Sequence, residues 1–117
     1  MINRVTIIGA GNLTSSLLTA IHRNRFSYKI DVIDTNKKKK FSLKKFNVNF
    51  FSSYTDVIAK SNLIILMVKP NNYIEVIKEI NPLLSEKMIL VSFMAGIGCS
   101  SIKNKLSQDI PVVRCMT

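Results

Sequence analysis

The residues best suited to chemistry lie near the start of the chain, where Gly9, Gly11 and Thr14 form the pattern G-x-G-x-x-T. Gly9 permits a tight turn, and the missing side chain of Gly11 leaves the backbone accessible to a phosphate group. Free N–H groups and the dipole of a following helix favour the negative charge of that phosphate. Because the pattern joins a predicted strand to a predicted helix, it indicates a dinucleotide-binding turn.

The third position of this fingerprint normally holds Gly or Ala, which lets the helix pack closely against the strand. Thr14 is larger and branched, so either the helix sits slightly further away or the threonine hydroxyl becomes buried. The alternative interpretation of the motif is a glycine turn in an α/β protein that binds no nucleotide. The strand–turn–helix context favours the dinucleotide interpretation.

A second candidate is Asp34, which ends the second predicted strand. A carboxylate at this position can accept hydrogen bonds from the adenosine ribose hydroxyls and would repel a 2′-phosphate. The four lysines at 37–40 follow directly, and any of them could pair with that phosphate, although a solvated helix face is the plainer interpretation for most. The choice between NAD and NADP therefore stays open.

Short apolar strands alternate with amphipathic segments along the chain. Leu13, Leu17 and Ile21 recur at the period of a helix with one apolar face. Residues 63–68 are apolar without alternation, as is typical of a central parallel strand covered on both faces. The predicted strands are 5–8, 30–33, 48–51, 63–68, 88–93 and 111–115, and the predicted helical segments are 13–21, 37–46, 55–60, 73–84 and 102–106. This order predicts a doubly wound α/β fold with a parallel sheet.

Length and composition fit one domain over residues 1–117, because 117 residues with 47% hydrophobic content can bury a core. No apolar run approaches the roughly 20 residues that cross a bilayer, and the first run is too short for a signal peptide. Cys99 and Cys115 are too few for a disulfide framework and lack the spacing of a metal site. We therefore expect a cytoplasmic protein with no membrane contact and no metal.

The chain carries 17 Lys and Arg against seven Asp and Glu, a net charge of +10, which raises the question of nucleic acid. Most of the excess is lysine, which accumulates on any tolerant solvated surface. No aromatic platform accompanies the lysines at 37–45, so nucleic acid is disfavoured as a partner.

Four separated segments carry a more specific signal. They are Ile8-Gly9-Ala10-Gly11-Asn12-Leu13, Met67-Val68-Lys69-Pro70, Ser92-Phe93-Met94-Ala95-Gly96-Ile97 and Val113-Arg114-Cys115-Met116. With these segments in this order, essentially the whole chain resembles the N-terminal dinucleotide-binding domain of the pyrroline-5-carboxylate reductase family. The resemblance implies a Rossmann domain and the reduction of 1-pyrroline-5-carboxylate to L-proline by hydride from NADPH or NADH. Related β-hydroxyacid dehydrogenases share the first segment, but the second and third segments disfavour them.

The resemblance also implies roles for particular residues. Those expected to hold the pyrophosphate are Gly9, Ala10, Gly11, Asn12, Leu13 and Thr14. Those expected at the adenosine ribose are Asp34 and Thr35, with Asn36 beside them. Those expected beside the nicotinamide are Met67, Val68, Lys69 and Pro70, with Ala95 and Gly96 from the next loop. No catalytic residue is assigned.

The chain departs from the family pattern in two further places. Ser53 and Tyr54 stand where the family usually has an asparagine that contacts the cofactor. The sequence ends at Thr117, where the family continues into a helical domain that forms the dimer and helps to hold the imine. We therefore expect a truncated reductase that binds cofactor better than it catalyses and self-associates through an exposed apolar patch. The alternative is a non-catalytic dinucleotide-binding module that needs a partner chain.

Overall fold

Six parallel strands form a single sheet in the computed structural model, which describes residues 3–24 and 27–115. The strands are β1 (Arg4–Ile8), β2 (Lys29–Ile33), β3 (Asn49–Phe51), β4 (Leu63–Leu66), β5 (Ile89–Ser92) and β6 (Val112–Arg114). The helices are α1 (Asn12–Arg23), α2 (Tyr73–Ile80) and α3 (Cys99–Lys103). The strand order β3-β2-β1-β4-β5-β6 is that of the Rossmann fold, so the predicted doubly wound sheet is confirmed.

The centre of the sheet is apolar on both faces. Ile8 pairs with Ile33 of β2 and with Leu66 of β4, and all three pack into one core cluster. Its neighbour Ile7 points to the opposite face, where it joins Val32 in a second cluster. Successive residues of a strand face opposite sides, so a strand covered on both faces must be apolar throughout. This is why unbroken apolar runs predicted these strands correctly.

Helix α1 is rotated by about one residue from the predicted orientation. Thr14 and Leu18 are its buried residues, whereas Leu17 and Ile21 pack only partly against the core. Leu13 is 37% exposed, so the prediction that it belongs to the buried face is wrong. The cause is the glycine turn, which directs the third fingerprint position at the strand and thereby sets the rotation of the helix.

Three predicted helical segments are shorter than expected. The lysine-rich segment is a 3-10 helix over Lys37–Leu43, in which the Asn36 side chain caps the Lys38 N–H at 3.1 Å. The segment predicted at 55–60 forms only a 3-10 turn over Ile58–Lys60. Helix α2 ends at Ile80, where Asn81–Leu83 continue as a 3-10 turn containing a proline, because proline cannot extend the hydrogen-bond ladder.

One partly buried ion pair links β1 to β2. The carboxylate of Asp31, fully buried in β2, lies 3.3 Å from the Arg4 guanidinium and accepts a hydrogen bond from Asn49 at 3.1 Å. These contacts tie β1, β2 and β3 together and satisfy the charge. None of the helices within the described ranges is long and apolar enough to cross a membrane.

Candidate functional site

A cavity of about 690 Å³ opens at the carboxyl ends of β1, β2 and β4. Its walls include Gly9, Ala10 and Gly11 after β1, Asp34 after β2, and Met67 after β4. In doubly wound sheets ligands bind at this edge, where the connections leave β1 and β4 in opposite directions. The volume lies within the range of small-molecule and cofactor sites.

Gly9 is required by the fold itself. Its φ is +109°, and a Cβ built there would lie 2.7 Å from the Met67 carbonyl oxygen. Its N–H donates to the Ile33 carbonyl at 2.8 Å, so the turn is held between β2 and β4. A side chain at this position would force two strands apart.

Gly11 has the opposite surroundings. A Cβ there would meet no heavy atom within 4 Å, and the residue is the N-cap of α1 with φ −90°. Among the described residues, no side chain caps this helix end, and the first turn of α1 contains no acidic residue. The first N–H groups of α1 therefore remain available to an anion at the wall of the cavity.

Thr14 stabilises the glycine turn from below. Its buried hydroxyl donates to the Gly9 carbonyl and also contacts the Met67 sulfur, with 3.1 Å between Oγ1 and Sδ. Burial of the hydroxyl is one of the two outcomes that the sequence allowed. Thr14 does not line the cavity, so its contribution is to the shape of the turn.

Asp34 links the glycine turn to the end of β2. Its Oδ2 accepts a hydrogen bond from the Ala10 N–H, and its Oδ1 accepts one from the Asn36 N–H, each at 2.9 Å. Thr35 and Asn36 also line the cavity. Of the four lysines at 37–40, Lys39 lines the cavity and the other three do not.

Tyr54 and one face of α2 complete the wall. The α2 side of the wall is formed by residues spaced three or four apart, namely Asn72, Glu75, Val76 and Glu79. Burial raises the pKa of the Tyr54 phenol, and the negative charges of Glu79 and Asp34 raise it further. The phenol is therefore protonated at neutral pH and can donate a hydrogen bond.

The structure brings together most of the predicted site residues. Those that line the cavity are Gly9, Ala10, Gly11, Asp34, Thr35, Met67, Val68 and Lys69. Those that do not are Asn12, Leu13, Thr14, Pro70, Ala95 and Gly96. Ala95 and Gly96 are exposed, and Gly96 has a φ of +76° that suits its turn. Their roles at the nicotinamide stay predictions, and Met116 of the fourth segment lies outside the described residues.

The contribution of α2 was not predicted. The sequence predicted a helical segment over 73–84 and assigned none of its residues to the site. The signal was present in the spacing of Asn72, Glu75 and Glu79, which places these side chains on one side of the helix.

A second cavity of about 350 Å³ lies between α1 and the start of β2, with His22 and Tyr28 in its wall. It is at the opposite edge of the sheet from the glycine turn.

Comparisons with known proteins connect this geometry to reductases. Residues 4–96 match the family model described as "NADP oxidoreductase coenzyme F420-dependent". The pyrroline-5-carboxylate reductase of Pseudomonas aeruginosa is 30% identical over 115 residues, which are 97% of this chain and 42% of that protein. The enzyme of the same name from Staphylococcus saprophyticus is 29% identical over 119 residues, which are 97% of this chain and 43% of that protein. The chain thus spans less than half the length of these relatives, and the predicted resemblance to their family is confirmed.

Solved structures agree on the fold. A pyrroline-5-carboxylate reductase from Coxiella burnetii superposes with a TM-score of 0.88 at 24% identity, covering 97% of this chain and 43% of that one. The Plasmodium falciparum pyrroline carboxylate reductase, solved with NADP bound, gives a TM-score of 0.80 at 22% identity over 98% of this chain and 42% of that one. At these identities the likeness shows the fold alone.

Proposed function

We propose that the chain binds an NAD(P) dinucleotide in the cavity beside its glycine turn. The premise is that the chain belongs to the family described as "NADP oxidoreductase coenzyme F420-dependent". The observation that carries the proposal is the contrast between the surroundings of Gly9 and those of Gly11. The first glycine is demanded by the strands around it, whereas the second faces open space at a helix end with available N–H groups. An open position at this place in the wall fits a pyrophosphate.

The cavity offers partners for the rest of a dinucleotide. Gly9, Gly11 and the start of α1 would hold the pyrophosphate, and Asp34 would face the adenosine ribose. Met67, Val68 and Lys69, which follow β4, would pass beside the nicotinamide half. Residues 1–117 would together form the dinucleotide-binding domain.

We propose that the reaction served by this domain is that of its curated relatives, the reduction of 1-pyrroline-5-carboxylate to L-proline. A bound reduced nicotinamide would supply the hydride to the imine carbon, and the imine nitrogen of the substrate must carry a proton so that the product is a neutral amine. Hydride transfer needs the imine carbon held roughly 3–3.5 Å from the donor carbon. The chain's own residues would fix the cofactor, while a helical domain would hold the imine.

A second candidate is a dinucleotide-binding module without catalysis of its own. The observation that favours it is the position of Ala95 and Gly96, which are exposed and do not line the cavity. With Ala95 and Gly96 in their predicted role, that side of the nicotinamide would be open in the chain alone. Such a module would become active when another chain supplies the covering domain.

The test begins with titrations of the chain with NADH and with NADPH, in which nicotinamide fluorescence reports binding. We expect saturable binding that is lost in Gly11→Val, because the new side chain would occupy the approach of the pyrophosphate. Imine reduction is then assayed with and without an added helical domain from a curated relative. Reduction that appears only with the added domain supports the module, and reduction without it supports a self-sufficient reductase. Absence of binding to either cofactor would overturn the proposed function.

A further inference from the structure

Acidic groups lie in the wall of the cavity, after β2 and on α2. Asp34 and Glu79 both line this region, and the negative charges of both act on the phenol of Tyr54. Glu75 adds a third carboxylate to the α2 side of the wall. A dinucleotide whose pyrophosphate lies at the glycine turn would place its adenosine ribose beside Asp34, because β2 is the strand beside β1 on this side.

The carboxylate of Asp34 is fixed in this region. Both of its oxygens accept backbone N–H groups, from Ala10 and from Asn36, each at 2.9 Å. Rotating the side chain away from a second negative charge would break both hydrogen bonds and loosen the glycine turn. Each oxygen has a further lone pair, so the carboxylate can still accept a hydroxyl donor.

The lysines near the cavity are less well placed to pair with a 2′-phosphate than Asp34 is to repel it. Lys39 lines the wall, but it is exposed and belongs to a run of four lysines whose mutual repulsion favours extended, solvated side chains. An exposed lysine contributes little to pairing because salt and water screen it. Lys69 follows β4, on the other side of β1 from β2. The fixed charge of Asp34 is therefore only weakly offset by Lys39.

We infer that this site selects the dinucleotide with a free 2′-hydroxyl, NADH, over its 2′-phosphorylated form, NADPH, and that Asp34 and Glu79 determine the preference. The inference rests on the proposed function and differs from the family description, which names NADP. A ribose hydroxyl donates to the fixed carboxylate, whereas a 2′-phosphate brings nearly two negative charges against it. We expect NADH to bind roughly tenfold more tightly at moderate salt.

The experiment measures dissociation constants of the whole chain for NADH and NADPH by fluorescence, at low salt and at high salt. Glu79→Gln removes one charge from the wall without touching the glycine turn, and should narrow the NADH preference about threefold. Lys39→Gln should widen the NADH preference only slightly, and only at low salt, because Lys39 is exposed and screened. Glu86→Gln and Lys40→Gln are the matched controls, because they remove the same charges from exposed positions that do not line the cavity.

The outcomes separate the inference from the proposed function. Equal or tighter binding of NADPH, or a preference unaffected by Glu79→Gln, overturns the inference while the dinucleotide site stands. Failure to bind either cofactor overturns both. Competition against bound NADH gives an independent reading, since 5′-AMP should displace it at lower concentration than adenosine 2′,5′-bisphosphate does.

Discussion

Replacing Gly9 by alanine should remove a large part of the stability of this fold, whereas the same change at Gly11 should leave it intact. The new Cβ at position 9 would lie 2.7 Å from the carbonyl oxygen of Met67 and 2.9 Å from its carbonyl carbon. Both are backbone atoms of the segment after β4, so they cannot rotate away as a side chain would. The φ of +109° adds strain, because residues with a Cβ rarely adopt it.

The size of the effect follows from these two terms. Backbone strain at such a φ costs about 1–3 kcal/mol, and forcing an extra carbon into a packed region costs about 1–3 kcal/mol. A chain of this length has a free energy of unfolding of roughly 6–17 kcal/mol. Gly9→Ala should therefore lower the thermal midpoint by roughly 10–20 °C. Gly11→Ala should change the free energy of unfolding by less than about 1 kcal/mol, because its φ of −90° suits alanine and no atom lies within 4 Å.

Urea and thermal unfolding of both variants measure the stability, and cofactor titration measures the site. Gly11→Ala should unfold like the parent chain and yet bind NADH more weakly, because the methyl group meets the pyrophosphate. Equal loss of stability in the two variants, or a loss below about 1 kcal/mol for Gly9→Ala, would refute the steric reasoning.

Three further predictions concern side chains described above. Thr14→Val should lower the free energy of unfolding by about 1–3 kcal/mol in urea, since the Gly9 carbonyl loses its buried donor; Thr14→Ser should restore most of it, and an equal loss in both variants would contradict the assigned hydrogen bond. Asp31→Asn should cost about 2–4 kcal/mol, because the partly buried Arg4 charge loses its carboxylate, and an unchanged urea midpoint would show that the pair contributes nothing. Tyr54→Phe should reduce the loss of stability above pH 10: burial raises the pKa of the folded phenol, so the unfolded chain releases its proton first and alkaline pH favours unfolding. The stabilisation by the Tyr54 phenol should thus be retained below pH 10 and lost as pH rises through the folded pKa. If the urea midpoint of the parent and that of the variant are the same at pH 8 and again the same at pH 10.5, this assignment is contradicted.

The sheet could be predicted from the sequence because its strands need apolar residues on both faces. An unbroken apolar run as short as Leu63–Leu66 is far too short to cross a bilayer. It therefore indicates a strand buried on both faces, which needs apolar residues at every position. Helix orientation was harder, because Leu13, Leu17 and Ile21 fit a helical period as well as the true buried line of Thr14 and Leu18 does. The tertiary demand of the glycine turn decided between them, and no local pattern contains that demand.

The site was predictable where one short motif contains it and unpredictable where separate elements meet. Gly9, Gly11 and Asp34 follow from the spacing of a strand, a turn and a second strand. Whether Glu79 and Lys39 reach the cavity wall depends on how α2 and the 3-10 helix lie over the sheet, which the sequence pattern leaves open. The open question of NAD or NADP was of the second kind, since it turns on which charges face the ribose.

The order of strands in the sheet has a consequence for synthesis on the ribosome. The central strand β1 is made first, but its register with β4 joins Val5 to Leu63 and Ile8 to Leu66. The middle of the sheet therefore cannot close until more than half of the chain has emerged, and until then Ile7 and Ile8 have β2 as their only neighbouring strand within the described residues. Such distant pairing slows folding and leaves apolar surface for chaperones to protect. After β4 has docked, β5 and β6 add one at a time to a growing edge, so this half of the sheet assembles in the direction of translation.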